Sequence, residues 1–393
     1  MNIGHNIADW LETRAVTPAH TGWVLIGLTV FFFGSATNTM SGWLYALSGG
    51  SLALLGIAAF LSTRSLHSLE VRRRAIEPVS VGDQITIELQ IENRSQEPKT
   101  LLQLVDILPF VLGKVVVRPI ELIAAHSIYT DTYYLEVQRR GVYRWQEVYL
   151  RTAAPLGLFW CRRSQPVKAV AVVYPQVLPL NTCPLIDRIG QEDSPQLYDR
   201  RRSQNATEGL TRNLRPYRHG DPTRLIHWRT SARYGELRVR ELEVAAGGQE
   251  IIIALDSGAT WEPKEFEQAV TVAASLYFYA SKRLLNVKLW TTGTGIVSGN
   301  RVVLETLAAV NAGEDVVEKR PKLPIIWLTQ YDTKHSESLN TLTQGSRWVL
   351  WPSSHAEIGD KVLVKSDFPG IEIRSDRPLE LQLQSPLERA ISY

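Results

Sequence analysis

Cysteine is scarce in this sequence of 393 residues, and several catalytic motifs are absent from it. The two cysteines, Cys161 and Cys183, have no Cys or His partner at metal-ligand spacing, which argues against a zinc site or a disulfide framework. Reducing surroundings are the simpler interpretation. The sequence contains no GxSxG, Walker A or HExxH pattern. We therefore expect a protein that is not an enzyme.

Excess charge of either sign is also lacking. The chain has 43 basic and 40 acidic residues, a net charge of +3, and 44% hydrophobic residues. This balance is typical of globular domains and disfavours a general polyanion-binding protein. Any function that depends on positive charge must therefore be local.

The N-terminal region lacks charge altogether, because no Asp, Glu, Lys or Arg occurs over 15–63. Two apolar blocks, beginning at Gly22 and Gly42, lie within it, and a span needs about 20 apolar residues. We predict a membrane anchor of two transmembrane helices over 1–66. Asp9 and Glu12 in the leader make a cleaved signal peptide the weaker alternative.

Basic residues lie near both ends of this anchor, and a hairpin of two helices places these ends on the same side of the membrane. Arg14 precedes the first block, whereas Arg64 and the run 72–74 follow the second, and the turn between the blocks carries no Lys or Arg. Positive flanks stay in the cytoplasm. We expect a multi-pass protein of the inner (plasma) membrane, with both termini and the soluble domains cytoplasmic.

After the anchor the pattern becomes one of short strands. In the segment QITIELQIENRS, Ile85, Ile87, Leu89 and Ile91 alternate with polar residues, as in a half-buried strand. Several such runs without a helical segment predict an immunoglobulin-like β-sandwich over 67–176. The Pro-rich stretch 177–208 is interpreted as a linker or arm.

Strand and helix patterns alternate in the last part of the chain. EIIIALDS, NVKLWTT, LPIIWLT and RWVLWP are apolar strand patterns, and amphipathic helix patterns follow the first two of them. This order predicts a doubly wound α/β domain within 209–393, with a ligand crevice beyond the carboxyl ends of its strands.

Arginine is concentrated just before this domain. The window 200–240 holds 11 Arg, 3 acids and no Lys. This use of Arg without Lys favours a role for the planar guanidinium group, which forms bidentate pairs with carboxylates or phosphates. Asp221 and Gly235 suit the two ends of a helix over 222–234, and a strand pattern follows it. Two roles stay open for these arginines, internal braces and a surface that binds a partner. The residues assigned to partner binding are Arg215, Tyr217, Arg218, Asp221, Arg224, Trp228, Arg229 and Arg233.

The stretch RPYRHGDPTRLIHWRTSARYGELRVRELE over 215–243 resembles the family known as domain of unknown function fifty-eight. The upstream stretch RRGVYRWQEVYLRTAAPLGLF is similar to that family as well. The resemblance implies two membrane spans and a von Willebrand factor A-like domain after the signature. It also implies a MoxR-type AAA+ ATPase as the partner in a chaperone-like assembly, and it implies no reaction.

The metal site of von Willebrand A domains is only partly matched. Magnesium-binding members carry DxSxS after the first strand, where this sequence has Asp256, Gly258 at the first serine position and Thr260 at the second. Asp332 is a further possible oxygen ligand. We expect no cofactor and little or no Mg²⁺ affinity, with Asp256 acting as a strand-end cap.

The sequence therefore predicts a membrane-anchored adaptor or scaffold that presents cytoplasmic domains to an acidic protein partner. A protein that binds nucleic acid or a phosphate ligand is the alternative, suggested by arginines interleaved with Tyr217 and Trp228. The near-neutral net charge and the membrane anchor count against nucleic acid.

Overall fold

The computed structural model describes residues 16–188, 210–217, 226–243, 250–283, 285–321, 323–330, 341–352, 368–374 and 376–387. The chain divides into two compact units, Met1–Tyr174 and Pro175–Tyr393. The first unit contains a pair of apolar helices and a β-rich domain, and the second contains a parallel sheet with its helices.

Two apolar helices begin the described chain, α1 His20–Thr39 and α2 Gly42–Ser65. Both are long and apolar enough to cross a membrane, as predicted from the uncharged blocks. Large side chains such as Phe31 and Leu52 are exposed along them, and so many exposed apolar side chains suit a lipid environment better than water.

Two sheets enclose the core of the β-rich domain. The larger has the order β1-β9-β8-β5-β6, with β3 paired to β9, and the smaller has the order β2-β4-β7. The predicted alternation holds in β4, where every second side chain, Ile85 to Ile91, is fully buried between the sheets. The strands are β1 Thr17–Pro18, β2 Leu69–Arg73, β3 Val79–Ser80, β4 Gln84–Asn93, β5 Lys99–Asp106, β6 Val116–Ile123, β7 Ile128–Glu136, β8 Gly141–Thr152 and β9 Phe159–Tyr174.

The turn between β8 and β9 fixes this β-sandwich to the helix pair. The N–H of Ala19 donates to the carbonyl of Leu158 at 2.8 Å, and the Thr21 hydroxyl donates to the carbonyl of Gly157 at 2.8 Å. Ser62 near the end of α2 donates to the carbonyl of Ala154 at 3.2 Å. Both helices are therefore hydrogen-bonded to the same turn.

The second unit is built on a six-stranded sheet with the order β14-β13-β12-β15-β16-β17. All pairings are parallel except that of β13 with β14. The strands of this sheet are β12 Glu250–Leu255, β13 Asn286–Thr291, β14 Gly295–Val297, β15 Ile325–Gln330, β16 Arg347–Trp351 and β17 Gly370–Glu372, and a separate two-stranded sheet is formed by β10 Leu210–Pro216 and β11 Arg238–Glu243. The helices are α3 Pro184–Asp187, α4 Trp228–Tyr234, α5 Pro263–Lys282, α6 Asn300–Ala309 and α7 Leu379–Leu383.

The two faces of this sheet are covered differently. Helices α3, α5, α6 and α7 all contribute to one core, which includes Ile253 and Leu328. The opposite face carries Trp290, Trp327 and Trp348, and Leu342 packs there from outside the strands. The doubly wound prediction places helices on both faces, whereas the described helices that pack on this sheet cover one face.

The first part of the predicted linker is packed onto the sheet domain. Cys183 and Leu185 are fully buried, and Arg347 donates to the carbonyls of Pro184 and Leu185 at 2.8 and 2.7 Å. Leu178 donates its N–H to the Ser275 hydroxyl at 2.9 Å. Both cysteines are buried thiols, and burial raises the pKa of Cys183 to about 12, so this thiol is inert.

Candidate functional site

The arginine-rich signature forms a two-stranded antiparallel hairpin. Strand β10 pairs with β11 in a register that sets Arg215 opposite Val239, and the N–H of Tyr217 donates to the carbonyl of Leu237 at 2.8 Å. Tyr217 is half-buried. Its backbone thus continues the ladder one residue past the end of β10.

The short helix α4 lies between these two strands in the chain. The predicted helix over 222–234 is wrong at residues 226 and 227, because Ile226 forms a β-bridge with Val239 and α4 begins at Trp228, whereas 222–225 lie outside the described residues. His227 caps the helix, since its Nδ1 accepts from the N–H of Thr230 at 3.2 Å. The cap assigned to Asp221 lies outside the described residues, as do Arg218 and Arg224.

Ser231 clamps α4 onto β11. Its hydroxyl accepts from the N–H of Arg238 at 2.9 Å and donates to the carbonyl of His227 at 3.1 Å, and the residue is buried. Gly235 ends the helix at φ 72°, the left-handed conformation expected of a glycine there. Arg233 belongs to the same helix. Capping and clamping therefore fix a helix that is too short to be stable alone.

Trp228 is the most exposed large hydrophobic side chain described in the signature. It is 65% exposed, Leu237 is also exposed, and Arg229 beside Trp228 points to solvent. We call Trp228, Arg229 and Leu237 the signature face. Trp and Arg carry much of the binding energy at protein interfaces, so an exposed pair on a fixed helix is suited to docking.

A second polar region lies at the carboxyl edge of the parallel sheet. Asp256 follows β12, and its Oδ2 accepts from the Thr329 hydroxyl at 3.0 Å while its carbonyl accepts from the Trp261 indole at 2.6 Å. The Ser257 hydroxyl accepts from the N–H of Thr292 at 3.1 Å. Asp256 thus joins β12 to β15, and Ser257 joins β12 to β13.

The described oxygens at this edge do not fit a magnesium site. A Cβ added at Gly258 would lie 2.8 Å from Cγ2 of Thr292, so a serine has no room at that position. Thr260 is exposed, and Asp332 lies outside the described residues. Within the described ranges no group of three or more His, Cys, Asp or Glu could hold a metal. Mg²⁺ needs a near-octahedral shell of oxygens, whereas the Asp256 carboxylate after β12 already accepts a hydroxyl.

A cavity of about 590 Å³ opens beside Asp256, between the ends of β12 and β13 and the segment before β15. Lys319, Arg320 and Trp327 line it with Thr341. Arg320 stacks over Trp327 at 5.2 Å and donates to the carbonyl and hydroxyl of Thr341 at 3.0 and 2.6 Å. Burial lowers the pKa of Arg320, and the Asp256 carboxylate opposes that shift.

The glycines after β13 form a hairpin turn that carboxylates cover. A Cβ at Gly293 would lie 2.5 Å from Oε2 of Glu314, and Glu318 accepts from the N–H of Ile296 at 3.2 Å. Carboxylates so close to the turn repel a phosphate. The geometry of Gly293, Thr294 and Gly295 is thus that of a turn and does not suit a phosphate-binding loop.

Sequence reasoning missed several polar residues at this edge, Glu265, Lys319, Arg320, Thr329 and Gln330. Glu265 lies in the first turn of α5 and accepts a hydrogen bond from the Gln330 amide. Burial, and then the neighbouring Glu262, raise the pKa of Glu265 to about 7. The strand-end position of Thr329 and Gln330 was the available signal, because strand ends meet at one edge of a parallel sheet.

The fold and these sites define a β-sheet-rich protein with two apolar N-terminal helices. The family model described as "Protein of unknown function DUF58" matches residues 213–299, which supports the resemblance seen in the signature. No curated protein matches the chain.

Solved structures show only distant likeness. The CARDB domain of the PF1109 protein from Pyrococcus furiosus is 12% identical, with 26% of this chain and 93% of that chain covered and a TM-score of 0.18. A β-glucosidase from Listeria innocua is 16% identical, with 25% of this chain and 16% of that chain covered and a TM-score of 0.15. An alkylpurine DNA glycosylase from Pseudomonas fluorescens is 12% identical over 38% of this chain and 44% of that chain, with a TM-score of 0.17.

Proposed function

We propose that this protein is a membrane-anchored, non-enzymatic adaptor that docks a protein partner through its signature face. The observation that carries the proposal is the 65% exposure of Trp228 beside Arg229, on a helix held by the His227 cap and the Ser231 clamp. A fixed aromatic side chain loses little conformational entropy on binding, so most of its buried area contributes to affinity.

The anchor in this proposal is the pair α1 and α2, with both chain ends in the cytoplasm. Their length, apolar composition and exposed side chains support a membrane hairpin. The hydrogen bonds from Ala19, Thr21 and Ser62 to one turn would hold the β-sandwich close to the bilayer.

The second unit is proposed to be von Willebrand A-like, with an edge that holds no metal. The parallel order of β12, β13, β15 and β16 and the position of Asp256 after β12 support this proposal. The partner is proposed to be a MoxR-type AAA+ ATPase, as the family resemblance implies. In the signature, the Nδ1 of His227 lies 2.7 Å from the Thr230 hydroxyl and accepts from the N–H of the same residue, so this contact forms part of a helix cap.

Capture from detergent-solubilised membranes tests the docking face. Full-length protein with Trp228→Ala or Arg229→Glu should retain less than a tenth of the ATPase captured by wild type. The matched control is Arg377→Glu, a reversal of an exposed arginine in a different element of the same unit. Equal capture by all three variants would exclude the signature face as the docking site.

A further inference from the structure

A second cavity, of about 550 Å³, lies where α2 ends against the turn between β4 and β5. Its wall combines an aromatic ring with cations and polar groups. Among the lining residues are Phe60, Arg64, His67, Ser95, Glu97 and Lys99. All of them belong to the first unit, and the family match over 213–299 does not include them.

Lys99 is the residue that marks this cavity as a binding site. It is 6% exposed, it lines the cavity, and its ammonium has no hydrogen-bond or ion-pair partner among the described residues. Its backbone is fixed in the sheet, because Lys99 begins β5 and pairs with Ile123. The side chain is thus largely enclosed, and its ammonium is open to the cavity, where an anion from outside the chain can pair with it.

The other charges around the cavity leave an excess of positive charge. Arg64 in the last turn of α2 is exposed, and Glu97 is the acid on the wall. His67 also lines the cavity, and its Nε2 lies 3.1 Å from Nη2 of Arg163. The Arg163 guanidinium is therefore in contact with a residue of the cavity wall. Guanidinium and ammonium groups together with hydroxyls are the usual ligands of a phosphate group.

Apolar side chains beside the cavity indicate that its ligand has a lipid part. Phe60 on the wall is exposed on the apolar helix α2. Leu101, two residues after Lys99 in β5, is exposed as well. Large apolar side chains next to cations at the end of a membrane helix are typical of the interface with lipid headgroups.

We propose that this cavity binds the phosphate of an anionic phospholipid, with Lys99 on the cavity wall as the counterion and Arg64 at the entrance. The proposal rests on the membrane anchoring proposed above. Bound lipid would neutralise the Lys99 ammonium and fill the space between α2 and the β-sandwich. The lipid would thus help to fix the β-sandwich relative to the helix pair.

Native mass spectrometry of the full-length protein in a neutral detergent tests this site. Phosphatidylglycerol should bind at least tenfold more tightly than phosphatidylcholine, and Lys99→Met should remove that preference. The matched control is Lys114→Met, which removes an exposed lysine from the same β-sandwich and should change the affinity less than twofold. Equal losses in the two variants, or equal binding of the two lipids by wild type, would overturn the proposal.

Thermal unfolding in the same detergent separates loss of the site from loss of the fold. Without lipid, Lys99→Met should melt at or above the wild-type temperature, because Met keeps the enclosed apolar part of a side chain that is 6% exposed and removes its charge. Phosphatidylglycerol should raise the melting temperature of wild type and leave that of Lys99→Met unchanged. A Lys99-dependent rise caused by inorganic phosphate alone, with no further effect of lipid, would identify free phosphate as the ligand and overturn the lipid assignment.

Extraction of membranes with alkaline carbonate tests the anchor separately. Wild type and Lys99→Met should both stay in the pellet. Release of the wild type would overturn the anchor, and the lipid titration in detergent would still report on the cavity. Retention in the pellet without a preference for anionic lipid would overturn the cavity proposal and leave the anchor intact.

Discussion

Arg73 and Asp106 form an ion pair in the interior of the β-sandwich, with 2.5 Å between Nη2 and Oδ2 and side chains that are 2% and 1% exposed. The same carboxylate accepts from the Tyr133 hydroxyl at 2.6 Å and from the Trp145 indole at 3.1 Å. Burial, together with the Asp106 charge, raises the pKa of Tyr133, which keeps the phenol protonated as a donor.

Asp106→Asn should therefore destabilise the protein strongly. The change leaves the Arg73 guanidinium buried without a counterion, and removing one partner of a buried pair lowers the free energy of unfolding by about 3–5 kcal/mol. Denaturant unfolding of the full chain in detergent measures this change in the free energy of unfolding. Glu88→Gln is the control, because its ion pair with Arg74 is exposed and contributes at most about 1 kcal/mol. Equal stability of the two variants would contradict this account.

Gly258→Ser should destabilise the sheet edge without creating a metal site. The new Cβ would lie 2.8 Å from Cγ2 of Thr292, and overpacking of this kind costs about 1–3 kcal/mol. Adding Thr292→Ser removes that methyl group but keeps the hydroxyl that accepts from the N–H of residue 258, so the double variant should regain stability. Calorimetry should show little Mg²⁺ binding by either variant. Tight Mg²⁺ binding by either variant that is abolished by adding Asp256→Ala would contradict this prediction.

Glu265 should make stability fall as the pH rises from about 4.5 to about 7. Burial raises its pKa from 4.5 to about 7 in the folded protein. The folded state therefore holds the Glu265 proton more tightly than the unfolded chain does, and this contribution is lost as the pH rises through the folded pKa. Glu265→Gln should reduce the pH dependence of the melting temperature across this range. Glu267→Gln, at an exposed position of the same helix, should leave that pH dependence unchanged. Parallel pH profiles for wild type and Glu265→Gln would refute the assignment.

Local patterns in the sequence predicted the elements, and the sites depend on contacts between distant segments. The uncharged run over 15–63 and the alternation in β4 correspond to α1, α2 and a buried strand, because such patterns follow from the geometry of one element. The position of Arg73 could not be predicted from a local pattern. This residue was counted as a flanking charge of the anchor, but Asp106, 33 residues away, holds it inside the β-sandwich.

Lys99 and Glu265 were missed for the same reason. Each is an ordinary surface residue type in a local pattern, and its environment comes from segments far along the chain, α2 for Lys99 and β15 for Glu265. The predicted helix was wrong at residues 226 and 227, because Ile226 forms a bridge with Val239 and α4 begins at Trp228. Tertiary pairing of this kind is invisible to a window of a few residues.

The membrane topology gives a fourth test. Reporter fusions after Thr63 and at the C-terminus should be active only with reporters that work in the cytoplasm, because Arg64 lies in the last turn of α2 and the basic run 72–74 follows it. The positive-inside rule acts on the unfolded chain during insertion, so burial of Arg73 in the folded domain does not weaken it. A periplasmic signal from either fusion would contradict the adaptor as proposed.

Variants of Ser231 and Trp228 should distinguish a residue that holds α4 in position from a residue that contacts the partner. Ser231→Ala leaves the N–H of Arg238 without its hydroxyl acceptor, and an unsatisfied buried donor costs about 1–3 kcal/mol. Hydrogen exchange at the Arg238 amide should become at least tenfold faster, and capture of the partner should fall because α4 loses its position. Trp228→Ala should reduce capture to a similar degree while the exchange rate of that amide stays unchanged, because the ring is 65% exposed.

Salt dependence then decides what kind of partner the signature face binds. Arg229→Glu should weaken capture of an acidic protein most at low salt, where exposed charges are least screened. A nucleic acid would behave differently, since the logarithm of its affinity falls linearly and steeply with the logarithm of salt concentration. Binding of DNA or RNA at physiological salt that is lost on Arg229→Glu would favour the nucleic-acid alternative. Capture of a protein that Trp228→Ala and Arg229→Glu both abolish, with the Arg238 amide still protected, favours an adaptor that docks through Trp228 and selects its partner through Arg229.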